Sequence, residues 1–470
     1  MPLIVTYPDT RLEARRYVAG VLLRDFLGLD FIERVQAGQD VTITCTEDSR
    51  CLRMPDELLA TRHWLEPASL PRLPLARWRV PRGGPFPEPL HPELPVLYGR
   101  ALGDGESLRL REDQVDLGLD VFGSSLFLLT RYEEVVRGER DAHGRFAHAG
   151  SLAAAEGLAL RPLVNEYLDL LWGCLRHLWP GLRRRPRTRR LLLSHDVDHH
   201  LWNRDRHPRR ALSALKADLR NWRTGPRPFG TLASVARAWR GDYAADPYNT
   251  FVWLMEQSER LGVRSAFYFI TDRRHEGVNG SYALDDPWIR RLMADIAGRG
   301  HELGLHPSYH TVRDPAQIRH EFGRLRETAG TLGITQATWG GRQHYLRWEA
   351  PTTWQAWADA GLNYDSSVGF ADHVGFRAGV CYEYRTFNLL TGQPLALTER
   401  PLLVMEGSLL DPKYMHLSYP EAGRTAQALM RTCAHFDGDF TLLWHNSHFT
   451  QVQDAWLYRQ LLAAWQAVPA

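Results

Sequence analysis

The sequence predicts an α/β protein in two parts: a small α/β module over residues 1–182, then repeated strand-and-helix units over residues 191–470. Three observations carry this. Beyond Arg190, short apolar runs of strand length alternate with helical runs that stop at Gly or Pro. Repeated β-then-α units favour parallel strands, closed into a barrel or wound into an open sheet. Before that region the pattern is less regular, and between the two lies Arg183-Arg-Arg-Pro-Arg-Thr-Arg-Arg190, whose charge density and proline suit an exposed basic linker over residues 183–190.

In the first part, amphipathic helices are expected at Arg11–Leu27 and Asp120–Val136, with a short strand at Val41–Thr44. The stretch Pro81–Pro95 is too rich in proline to be a helix or a central strand. In the second part, Leu191–Ser194 reads as a buried strand, followed by a helix from Thr250 to Leu261 that Gly262 closes. Ser265–Ile270 is the next strand. Asp286-Pro287 opens a helix with Pro at its first position, and Trp288, Leu292 and Ile296 recur at a spacing of four. A strand at His301–Leu305 follows, then a helix at Pro315–Thr328, a strand near Ala337 and a helix at Pro351–Ala360. Strands near Leu403 and Leu442 and a last helix from Asp454 complete the pattern.

With 470 residues, 44% hydrophobic and 24% charged, the chain can bury a sizeable core, and a net charge of +2 gives no reason to expect nucleic acid or a membrane as partner of the whole molecule. The start lacks a basic segment followed by a long apolar one, and no apolar run of about 18 residues occurs, so a soluble, cytoplasmic protein is expected. Cys45, Cys51, Cys174, Cys381 and Cys433 are scattered and odd in number, which argues against a disulfide framework.

Catalytic groups of (β/α) folds gather at the C-terminal ends of the strands. Four polar clusters meet that condition: His195-Asp-Val-Asp198, His306-Pro-Ser-Tyr-His310, Gly341-Arg342-Gln-His344 and His445-Asn-Ser-His448. Asp198 or Asp196 with His306 and His310 offers a carboxylate and two imidazoles, a set suited to zinc or another first-row divalent ion with positions left for water. The pair His306 and His310 would share one face if a helix began at once, and Pro307 fits only the first turn of such a helix.

These clusters resemble the ordered motifs of the polysaccharide deacetylase family (the NodB homology domain, carbohydrate esterase family 4) over roughly residues 190–465. They are Ser194-His-Asp-Val-Asp198, Gly300-His-Glu-Leu-Gly-Leu-His-Pro-Ser-Tyr-His310, Gly341-Arg342, Tyr364-Asp-Ser-Ser367 and Leu443-Trp-His445, with Ser265–Ile270 similar to that family's second strand. The resemblance implies a distorted (β/α) barrel that hydrolyses the acetamide of an N-acetylated sugar in a surface polysaccharide or its precursor, using a divalent metal, zinc foremost. It implies Asp196 as base, Asp198, His306 and His310 as ligands, His445 as the acid that protonates the departing amine, Arg342 as the group orienting Asp196, and Asp365 as a tuning carboxylate. The valine between the two aspartates, and Gln343-His344-Tyr345 where that family has prolines, mark a divergent branch.

His199, His200, His344 and His448 crowd the same loops, and His344, Tyr345, Trp444 and Glu406 are candidates for substrate contact, with Trp339, Trp348 and Asp411 nearby in the chain. Residues 176–227 hold fifteen Lys or Arg against Asp196, Asp198, Asp205 and Asp218, with Trp202 and Trp222 among them. They are a candidate surface for acidic glycan or anionic lipid. Phe122-Gly-Ser-Ser125 and Leu129-Thr-Arg-Tyr-Glu-Glu134 carry no catalytic pattern, and packing or substrate gating is the role expected of the first part. Two other functions fit the sequence: hydrolysis of another non-peptide C–N bond on a small molecule, and a catalytically silent glycan-binding protein.

Overall fold

The computed structural model describes residues 2–38, 40–103, 105–203, 212, 216, 230–272 and 278–468. The first part is built on a mixed sheet of β1 (Leu3–Tyr7), β2 (Phe31–Val35), β3 (Asp40–Cys45), β4 (Cys51–Pro55), β7 (Leu108–Leu110) and β8 (Gln114–Leu117), in the order β2-β1-β3-β4-β8-β7. The hairpin of β5 (Ala76–Arg79) and β6 (Glu93–Val96) lies apart from it, so proline-rich Pro81–Pro95 supplies only a connection and part of an edge strand. The expected helix at Arg11–Leu27 is present but changes from an α-helix (Leu12–Ala19) to a π-helical turn (Gly20–Leu27). The one expected at Asp120–Val136 is broken in two where Arg131 takes a left-handed conformation.

The second part is a sheet of nine strands among the described residues, in the order β14-β15-β13-β12-β11-β10-β9-β17-β16. Its members are β9 (Arg190–Val197), β10 (Ser265–Phe269), β11 (Glu302–Leu305), β12 (Gly340–Gly341), β13 (Tyr364–Asp365), β14 (Tyr384–Asn388), β15 (Gln393–Glu399), β16 (Val404–Met405) and β17 (Asp439–Leu443). All neighbours run parallel except the antiparallel edge pair β14–β15. Helices at Phe251–Arg260, Pro287–Gly298, Pro315–Thr331, Thr352–Ala360 and Val452–Ala467 match the expected ones, and the side chain of Asp286 caps its helix by accepting from the Trp288 N–H. A further helix, Tyr419–His435, lies between β16 and β17, where the sequence reading placed none. The strand expected near Ala337 is instead the pair Gly340–Gly341, because only glycine fits there: a Cβ on Gly341 would lie 1.8 Å from the Leu305 carbonyl oxygen.

The sheet curls. Tyr268 on β10 and Tyr364 on β13 lie three strands apart, a separation of roughly 14 Å in a flat sheet. Their hydroxyls nevertheless meet at 3.1 Å. A cavity of about 430 Å³ opens on the concave side, lined by Leu192, Ser194, Ala266, Tyr268, Glu302 and Arg400 among others. The expected distorted (β/α) barrel is therefore a curled, mostly parallel sheet, with no backbone pairing between β16 and β14 to close it among the described residues.

One apolar core runs through both parts. Across their junction, Glu134 holds Arg377 with two hydrogen bonds of 2.6 and 2.9 Å and accepts another of 2.8 Å from Arg131, which itself donates to the Arg377 carbonyl. The ionic side chains of this triad are at most 4% exposed. The motif Leu129–Glu134 thus serves docking. Arginines of the presumed exposed linker are also engaged: Arg184 pairs with Asp169 at 2.6 Å and Arg190 with Asp439 at 2.6 Å. Most of the basic stretch past Asn203, Trp222 included, lies outside the described residues. No helix among the described residues is long and apolar enough to cross a membrane.

Burial disfavours charge on Glu134, but Arg377 and Arg131 outweigh it and hold its pKa below the ordinary glutamate value. The stabilisation is therefore complete at neutral pH and is lost as pH falls through that lowered value. Glu134→Ala, which strands two buried guanidinium groups, is expected to cost about 3–5 kcal/mol in urea unfolding. A change within experimental error would show that the triad contributes nothing to docking.

Candidate metal centre and flanking acid–base groups

The C-terminal ends of β9, β11, β12, β16 and β17 converge on one site. Asp196 lies within β9, and Asp198 just beyond it. His306 follows β11, Arg342 and His344 follow β12, Glu406 begins the helix after β16, and His445 follows β17. Parallel neighbours bring these ends side by side, which is why residues from distant parts of the chain meet.

Arg342 is fully buried and organises the site. It donates to Asp196 at 2.8 Å, to the Ser194 hydroxyl at 2.9 Å, to the Ser366 hydroxyl at 3.0 Å and to the Ser366 carbonyl at 2.9 Å. Burial works against its charge, yet Asp196 outweighs this and raises its pKa. One oxygen of Asp196 is thereby fixed; the other lies 3.8 Å from His306 Nε2.

Asp198, His306 and His344 form the first possible metal-binding group. His306 Nε2 is 3.2 Å and His344 Nδ1 3.5 Å from Asp198 Oδ1, and the two ring nitrogens are 2.9 Å apart. Their other nitrogens decide the tautomers. His306 Nδ1 lies 2.6 Å from the Arg342 carbonyl and His344 Nε2 2.8 Å from the Val278 carbonyl. A carbonyl only accepts, so each of those nitrogens carries a proton and each facing nitrogen presents a lone pair. Asp198 Oδ1 is buried without a hydrogen-bond partner. Three electron-pair donors thus point at one another, an arrangement that suits a cation, with backbone carbonyls orienting the imidazoles as they do around protein-bound metals. Burial lowers the His344 pKa to about 4, which keeps it neutral as a ligand must be. For His306 burial opposes charge, but Asp196 and Asp198 raise its pKa, so without an ion a proton competes for the same gap. Burial also disfavours charge on Asp198, and His344, His306 and His445 together hold it well below the usual carboxylate range. The residues fit a divalent ion bound by two nitrogens and one oxygen.

His310 is not among them. Pro307 and Ser308 are not helical, and Glu321 accepts from the Ser308 N–H at 2.8 Å, so the 3₁₀ turn begins only at Tyr309. The helical face that would have paired His306 with His310 does not form. The His310 ring is exposed and lies edge-on to Tyr309 instead. His344, read from sequence as a substrate contact, takes its place in the group.

On the other side of Asp198 stands His445, its Nε2 3.7 Å from Asp198 Oδ2 and its Nδ1 2.5 Å from Glu406 Oε1. Burial opposes the imidazolium, but the charge and hydrogen bond of Glu406 lift its pKa to about 10. His445 is therefore protonated at neutral pH. Glu406 is 2% exposed and so holds a histidine, where sequence had suggested substrate contact; the available signal was its position at a strand end, shared with the other site residues.

Asp365 lies opposite Gly341 on the neighbouring strand. It accepts from the Ser367 hydroxyl, burial raises its pKa to about 7, and no ion pair joins it to Arg342 among the described residues. Trp444 is fully buried against Phe449 and Tyr458, and Trp339 and Trp348 are core residues, so none offers a face to a substrate. His195 and His200 are buried as well, while His199 is exposed.

Tyr345 does face solvent. It is 41% exposed, its ring lies 4.7 Å from that of His344, and both it and Leu346 are in left-handed backbone conformations. Such strain needs support, and the first part of the chain supplies it. Arg145 donates to the Tyr345 carbonyl at 3.0 Å, Arg347 donates to the His143 carbonyl at 2.7 Å, and His143 Nδ1 lies 3.0 Å from the Tyr309 hydroxyl.

Residues 3–180 match the model of a family of unknown function (DUF7033). None of the curated proteins matches the chain. Among solved structures, it is similar to a protein described as a polysaccharide deacetylase from Mycobacterium smegmatis, with 16% identity and a TM-score of 0.38, covering 60% of this chain and 85% of that one. It is also similar to Puue allantoinase, with 12% identity and a TM-score of 0.34, covering 61% and 85%. At these values the likenesses say nothing about substrate or chemistry.

Metal content separates the two histidine pairs. After zinc loading and desalting, the wild type is expected to retain an ion in the Asp198 centre that His306→Ala and His344→Ala each lose and His310→Ala keeps. Loss in His310→Ala with retention in His344→Ala would reverse the ligand assignment.

Proposed function

We propose that the chain is a metal-dependent amide hydrolase that removes the acetyl group from an N-acetylated sugar of a surface polysaccharide or its precursor. The observation that carries this reading is the three-donor group of Asp198, His306 and His344, flanked on one side by a fixed carboxylate and on the other by a protonated imidazole. A silent binding protein has no use for both flanking groups.

When bound, a divalent ion supplies Lewis acidity, polarising an amide carbonyl and lowering the pKa of a water. Asp198, His306 and His344 would hold it. Asp196, its position set by Arg342, accepts the proton of the attacking water. His445, kept charged by Glu406, turns its Nε2 toward the centre and donates a proton to the amine as the C–N bond breaks. Amines leave poorly as anions, so this proton decides whether the tetrahedral adduct goes forward. Arg342 cannot substitute for either group, because a guanidinium remains protonated throughout.

Tyr345 provides the apolar face on which a pyranose ring stacks beside the centre, held at that angle by Arg145. A cytoplasmic location and contact with an acidic glycan or membrane through residues 176–227 belong to the same reading and await localisation and liposome-binding measurements.

Acetate release from a panel of N-acetylated sugars and oligosaccharides tests the reaction. Asp196→Asn and His445→Ala are expected to lower kcat by about 10²–10⁴-fold while still retaining the metal. Tyr345→Ala is expected to raise KM by about ten-fold with little change in kcat, as loss of a uniform binding contact should. Release of ammonia or an amine without acetate would favour hydrolysis of another C–N bond, and no turnover across the panel by metal-loaded protein would sink the sugar deacetylase reading.

A further inference from the structure

The second group of possible ligands lies on the far side of His445 from the first. Glu406 Oε1 is 2.5 Å from His445 Nδ1 and 2.7 Å from His448 Nδ1, so two imidazoles converge on one carboxylate oxygen. The other oxygen, Oε2, is buried without a hydrogen-bond partner. The three ligand atoms lie within 4.8 Å of one another. Their positions follow from the sheet: β16 and β17 are parallel neighbours, with Met405 opposite Leu443, so the residues that follow each strand emerge together. The turn after β17 folds His448 back over His445, its N–H donating to the His445 carbonyl at 3.1 Å while its own carbonyl accepts from the Trp444 indole at 3.1 Å.

This group differs from the first in access. The His448 side chain is 53% exposed. A cavity of about 200 Å³ adjoins it, lined by Glu406, His448, Asp411, Tyr419, Gln451 and Asp454, with room for water and two further carboxylates on its wall.

We propose that Glu406, His445 and His448 form a second divalent-cation site, open to solvent and separate from the Asp198 centre. The Glu406 carboxylate and the Nδ1 atoms of His445 and His448 would supply one oxygen and two nitrogens, each Nδ1 proton passing to solvent as the ion binds.

Zinc alone is the probe. Full-length protein stripped with chelator is titrated with zinc in wild type, His448→Ala, His448→Gln and His306→Ala, with thermal melts to verify folding. Two ions are expected in wild type, the second bound at least about ten-fold more weakly because its site is exposed. Both His448 variants should lose only the weak ion, and His306→Ala only the tight one. Equal ion counts in wild type and the folded His448 variants would overturn the second site. A single wild-type ion lost in His306→Ala would overturn it too, leaving the Asp198 centre intact. A single ion lost only in the His448 variants would instead support the second site and remove the basis of the proposed hydrolase.

Discussion

Much of the site depends on one buried cation. Arg342 lies at the mouth of the curled sheet and is satisfied by Asp196, Ser194 and both polar groups of Ser366. A guanidinium cannot shed its proton to escape burial, so its surroundings must provide acceptors. The sheet must curl far enough to bring β9, β12 and the residues after β13 within its reach. That same curl carries Asp196 and Asp198 toward the imidazoles of β11 and β12, so charge compensation and site assembly are one requirement. Gly341 enters here as well, since its lack of a side chain allows the close approach of β11 that sets Arg342 and His306 beside each other.

Around this cation the site divides its charge. His344 is kept neutral by burial, while His445, slightly less enclosed, is kept charged because Glu406 stands next to it. The two histidines thus take opposite protonation states chiefly because one of them has that carboxylate beside it. Backbone carbonyls of Arg342 and Val278 complete the division by fixing which nitrogen of each remaining imidazole is available.

The first part of the chain is more than an appendage. Its Arg131–Glu134–Arg377 triad locks it to the second part, and from that fixed base the segment around His143 and Arg145 supports the strained turn carrying Tyr345. A left-handed tyrosine next to a metal-ligating candidate needs such bracing, because free loops relax out of that conformation.

The amino-acid order determined the alternation of strands and helices, the helix start at Asp286-Pro287, and the positions of Asp196, Asp198, His306, Arg342 and His445 at strand ends. These are local properties: periodicity, capping and the polar residues that terminate apolar runs. Tertiary structure decided which of those residues meet. His344 rather than His310 joins His306 because Pro307 and the Glu321–Ser308 contact delay the next turn, a constraint that spacing alone does not reveal. Glu406 partners His445 because β16 lies beside β17, and strand order is not written in any one strand. Trp444 went to the core for a related reason: adjacent residues on a strand end face opposite ways, and only the packed neighbours determine which way is inward.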